Sequence, residues 1–164
     1  MSKRAEALAQ RVVQGHQELV AFVKGCSEAQ WQTYLPDEDR SVGVVVHHIA
    51  SALPVEIDLV KALASGKPIT GVTLDMVDQM NAQHAGEHAH RGKDETLKLL
   101  KHNSEMAVAA IRALSDKELD RAAPVSLHAD APLTTQYFIE DHPLAHSFHH
   151  LAAIRAAIGA DCDA

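Results

Sequence analysis

The chain has 164 residues, 46% hydrophobic and 4% aromatic, with a formal net charge of -7. That length suits one domain, residues 1–164, able to bury a core without disulfide or metal staples, so a metal here would serve function more than folding. The acidic balance argues against a phosphate-binding surface, and neither DNA nor RNA is expected as a partner.

Alanine is abundant, β-branched runs are short and aromatics are few, which favours helix over sheet. The opening Met1-Ser2-Lys3-Arg4-Ala5-Glu6 leads into an amphipathic run with Leu8, Val12, Leu19, Phe22 and Val23 on one side, ending near Gly25. Ser27 and Gln30 have the spacing of a capping box for a short turn carrying Trp31 and Leu35, closed by Pro36. Ser41 caps a second long helix whose stripe is Val44, Val45, His48, Ala52, Val55 and Leu59, stopped at Ser65-Gly66-Lys67-Pro68.

From Ile69 to Gly92 the pattern is polar and His-rich, a long crossover with a short helix around Asp75 to His84. A third helix from about Asp94 turns Leu97, Leu100, Ala107, Val108, Ile111 and Leu114 inward, and Ser115 with Glu118 caps a following turn. Thr134 caps the last helix, which reaches Gly159 with a kink at Pro143. The economical architecture is all-α, one four-helix bundle. No stretch reads as the roughly 20 apolar residues that span a bilayer, so a cytoplasmic protein without membrane contact is expected. Cys26 and Cys162 lack CxxC spacing and read as two unpaired thiols.

Twelve histidines stand out. Random placement predicts about 0.9 pairs at i,i+4, the separation that shares a helix face. Three occur: His84/His88, His142/His146 and His146/His150. Two imidazoles four apart reach one ion from successive turns, and His146/His150 offers that geometry. His48 lies on the apolar stripe of the second helix, while His47, about 100° away, is expected to be more exposed. A buried imidazole needs a partner or a metal, and partners on the last helix meet that need if the two helices face each other. Three neutral imidazoles with a free coordination position form a catalytic type of site rather than a closed structural one.

The helix opening at Ser41-Val42, His48 within Val46-His47-His48-Ile49-Ala50, His146-xxx-His150 followed by Leu151-Ala152-Ala153-Ile154-Arg155, and the capped turn at 114–120 together resemble the DinB/YfiT superfamily of bacterial bundle proteins. The resemblance implies a DinB/YfiT-like four-helix bundle with His48, His146 and His150 holding a divalent ion, zinc or nickel foremost. It further implies a metal-dependent thiol S-transferase or isomerase, with a small-molecule substrate and a low-molecular-weight thiol as cosubstrate. The alternative is a non-enzymatic metal-binding or stress-related homodimer. A di-iron site is disfavoured because Val45 and Pro143, not Glu, stand three residues before His48 and His146. His142 is read as solvent-exposed or as a donor behind a ligand, His149 as an alternative ligand, and His84, His88, His90 and His102 as solvated. Glu140 and Asp141 are candidates to orient a ligand imidazole.

Overall fold

Side-chain caps start most of the helices in the computed structural model, which describes residues 2–159. Ser2 accepts from Ala5 N at the head of α1 (Lys3–Gly25), and Ser27 forms a full capping box with Gln30 on α2 (Glu28–Trp31). A two-stranded ribbon, β1 (Tyr34–Leu35) with β2 (Arg40–Ser41), leads into α3 (Val42–Ala64), capped by Ser41. Thr73 caps α4 (Leu74–Glu87) in the crossover, Gly92 precedes α5 (Lys93–Arg112), and a Ser115/Glu118 capping box starts α6 (Asp116–Leu119). A second ribbon pairs β3 (Ala122–Val125) with β4 (Ala131–Thr134), Ala122 opposite Thr134. The fourth long helix comes in two parts, α7 (Thr135–Ile139) and α8 (Ala145–Ile158), joined by a π-helical turn, Glu140–Leu144. Each cap satisfies a backbone N–H that has no partner inside its helix.

The four-helix bundle matches the expectation, with α1, α3, α5 and α7–α8 around a core that includes Leu19, Ile49, Leu53, Leu100, Ile111 and Leu151. Two features depart from a purely helical reading. The ribbons were not foreseen, since strands of two and four residues, one pair carrying Pro124 and Pro132, leave no alternating pattern long enough to detect. Among the cysteines, Cys26 is not a free thiol, contrary to expectation, and Cys162 lies outside the described residues.

The rotation of α3 also differs. Ile49, Leu53, Ile57 and Val60 are buried, whereas Val55, placed on the expected stripe, is 53% exposed. The helix is apolar nearly all round, so its period does not select a face; α5 and the fourth helix do. By length and composition α3 even passes as a membrane span, which the sequence reading missed, but more than half of that window is buried inside the bundle, as in a core helix.

Pro54 lies inside α3 and has no N–H to give the carbonyl of Ala50. Asn103 of α5, itself buried, donates its Nδ2 to that oxygen at 2.8 Å. A backbone gap made by one helix is closed by a side chain of its neighbour, which fixes the register of α3 on α5. Asn103→Ala is expected to destabilise the fold by about 1–3 kcal/mol in denaturant unfolding, the cost of a buried acceptor left unsatisfied. In a Pro54→Ala background the same change should cost clearly less, because the restored N–H at position 54 can serve the carbonyl.

Candidate metal centre

The π-helical turn sets the direction of the fourth helix's histidines. Pro143 is buried in it and cannot donate back along the helix, and the extra residue of a π turn rotates α8 relative to α7. His146 and His150, on successive turns of α8, thereby face α3, where His48 lies nearly two turns into the helix.

The three expected residues meet. His48 Nε2 and His146 Nε2 are 3.2 Å apart, and the ring centroids of His48 lie 5.0 Å from His146 and 5.7 Å from His150. One nitrogen from each lies within 4.8 Å of the others. Two nitrogens bound tetrahedrally at about 2.0–2.1 Å would sit about 3.3 Å apart, so the His48/His146 pair already has a spacing that fits zinc or a similar ion. Burial pushes the His48 ring down to about 3, which keeps it neutral and its lone pair available as a ligand.

Two carboxylates stand behind the α8 histidines. His150 Nδ1 donates to Glu38 Oε1 at 2.7 Å, and His146 Nδ1 comes within 2.8 Å of Glu56 Oε1. The second contact has bonding distance but not hydrogen-bond alignment, so His146 Nδ1 counts as unpaired, and a turn of the imidazole would straighten it. With Nδ1 facing a carboxylate, each ring is left with Nε2 for the centre, and the carboxylate raises its basicity. The Glu38 carboxyl is pulled down to about 2, first by the His150 hydrogen bond and then by the charge of Arg40. Arg40 holds Glu38 in turn, through Nε to the Glu38 carbonyl at 3.0 Å and Nη2 to Oε2 at 3.1 Å. Its Nη1 is buried and has no partner.

Glu38 belongs to the turn between β1 and β2, which leads into the start of α3 beside Trp31. A Cβ on Gly43 would come within 2.6 Å of the buried Trp31 ring, so only glycine lets the indole lie against the start of α3. A cavity of about 240 Å³, lined by Glu38, Asp39 and Arg40 together with Asp78, Asn81, Ala82 and Ala85 of α4, adjoins the triad through Glu38, the partner of His150. A larger groove of about 1000 Å³ runs between α1 and α5; the three histidines line neither cavity.

Several expectations need correction. Glu140 pairs with Gln136 and approaches Arg11, and Asp141 lies 3.6 Å from both His128 and His142; neither contacts a histidine of the triad. Glu56 and Glu38 do so instead. His47 is the more buried of the adjacent pair, 5% exposed, because α4 covers that side, and His84 packs beside it rather than in solvent. His88 likewise stacks on His47. His142 is half-buried against Phe138 with its Nε2 unpaired, and it groups with His128 and Asp141 rather than with the triad. His149 is exposed and outside the triad, as are His90 and His102.

His16 of α1 escaped the sequence reading, although its place between Val12 and Leu19 on the apolar stripe was a signal. It is 3% exposed, bonded through Nδ1 to Ser104 Oγ at 2.5 Å, and burial pushes it down to about 4 while the charge of Glu56 opposes that shift.

If Glu56 orients His146, Glu56→Gln should weaken zinc binding about 10- to 100-fold in a chelator-competition titration. Glu140→Gln, which alters a carboxylate paired with Gln136 rather than with a ligand, should leave it unchanged.

The comparisons agree with this geometry at the level of fold. The structure is similar to that of YfiT from Bacillus subtilis, described as "a probable metal-dependent hydrolase with an unusual four-helix bundle topology", at 20% identity and TM-score 0.76, covering 96% of this chain and 87% of that one. An uncharacterized protein from Clostridium difficile 630 is similar at 14% identity and TM-score 0.72, covering 95% and 96%. A search of curated proteins gives no match. The family model of the DinB superfamily matches residues 11–154, and the chain belongs to that superfamily.

Proposed function

We propose that this protein is a divalent-metal-dependent enzyme acting on a small-molecule substrate, with hydrolysis as its chemistry. The observation that carries the reading is a trio of imidazoles, two of them backed by carboxylates, one of which, Glu38, lines a small polar cavity. Three protein ligands and a free position are the arrangement of catalytic rather than structural zinc sites. The description of YfiT as a hydrolase agrees with this reaction class.

A zinc or nickel ion held there would polarise a carbonyl or phosphoryl oxygen and bring a coordinated water to a pKa near 7. His48, His146 and His150 bind it. Glu38 and Glu56 keep the protons of His150 and His146 on Nδ1 and so fix which nitrogen faces the centre. Among the described residues, Arg40 carries the one guanidinium nitrogen near the triad that is buried without a partner, and this Nη1 is suited to the oxygen of an anionic substrate group. The α4 residues along the cavity limit the access of water. The description of YfiT as a probable metal-dependent hydrolase sets hydrolysis ahead of the expected thiol transfer.

The test is a panel of small esters, amides and phosphoesters, with a thiol plus electrophile as a further arm. Turnover by the zinc- or nickel-loaded chain should vanish on chelation, return on reloading, and be absent in His48→Ala. Metal uptake without turnover across the panel would favour the binding-protein alternative, and turnover confined to the thiol arm would restore the transferase. At matched metal loading, Arg40→Ala should raise KM for anionic substrates about tenfold or more, the loss of one charge-assisted contact.

A further inference from the structure

The crossover helix α4 lacks what normally holds a helix on a protein. None of its residues is buried, and Leu74, Met76 and Met80 are 69%, 46% and 59% exposed. A 14-residue helix with no buried face has little stability of its own. What it sets against α3 is imidazole. His84 Nε2 lies 2.9 Å from His47 Nδ1 and 3.0 Å from Ser51 Oγ, and the His88 ring stacks on His47 at 4.2 Å.

We propose that His47, His84 and His88 form a second divalent-cation site that clips α4 onto α3. Its plan repeats that of the first centre: one histidine from α3 and an i,i+4 pair from another helix. One nitrogen from each of the three residues lies within 4.8 Å of the others. His84 Nδ1 is buried without a partner, and Arg91 Nε donates to His88 Nδ1 at 3.2 Å, which leaves His88 Nε2 for the cluster. Because His88 is only half-buried, its ring can turn out of the stack to bring that nitrogen round. The 2.9 Å contact would open to about 3.3 Å around a tetrahedral ion. An all-imidazole donor set selects zinc, nickel or copper over magnesium and calcium, which take oxygen ligands.

The second site adjoins the first, since the rings of His48 and His84 are 5.5 Å apart. Asp78, Asn81, Ala82 and Ala85 of α4 form one wall of the cavity beside the first centre. Occupancy of the second site therefore sets whether that wall is in place.

The experiment is zinc titration of the 164-residue apoprotein, with metal per chain measured by mass spectrometry and amide exchange followed over 74–87. Wild type should bind two zinc ions per chain. His84→Ala and His88→Ala should each bind one, and His48→Ala should bind one. Zinc should protect the α4 amides in wild type and in His48→Ala, but not in His84→Ala. Both α4 variants alter a helix without buried residues, so their far-UV spectra should be nearly native. Wild type that binds a single zinc, lost in His48→Ala, overturns the proposal, as does His84→Ala still binding two. A single zinc lost in His84→Ala but kept in His48→Ala upholds this site and removes the first.

Discussion

A carboxylate placed inside an apolar helix is the constraint on which the rest of this structure turns. Glu56 stands on α3 next to the fully buried Ile57, its side chain 12% exposed, with an unpaired Oε2. A charge taken from water costs several kcal/mol unless compensated. The compensation comes from another helix, through His146 Nδ1 of α8 at 2.8 Å. The rotation of α8 that brings His146 to Glu56 also turns its Nε2 towards His48. Packing and chemistry are thus satisfied by one orientation.

Local rules account for much of what the sequence revealed. Ser27, Ser41, Ser115 and Thr134 act as the caps their spacing indicates, and Pro143 interrupts the last helix where its missing N–H requires. The i,i+4 pair His146/His150 and the apolar setting of His48 pointed to the triad, and the family resemblance singled it out. What stayed hidden depends on contacts distant in sequence. Glu38 meets His150 across 112 positions, and nothing near either residue announces the pairing. His47 and His48 were assigned the wrong relative burial because α3 is apolar on nearly every side, so the choice of face rests with its neighbours.

Adjacent histidines on one helix point about 100° apart. On α3 that divergence serves two clusters: His48 looks to α8 and His47 to α4. The helix is held firmly on its other side, where Asn103 closes the gap left by Pro54. Both imidazoles therefore project from a helix pinned to α5, each towards a different neighbour.

The bareness of α4 bears on how such a protein can diversify. Side chains that carry no packing can be exchanged at little cost to folding, since surface substitutions usually change stability by less than about 0.5 kcal/mol. Asp78, Asn81 and Ala82 are of this kind, yet they border the cavity beside the histidines. Mutation can redraw the shape and polarity presented to an incoming molecule while the bundle beneath stays intact, so selectivity in this architecture is free to drift faster than fold.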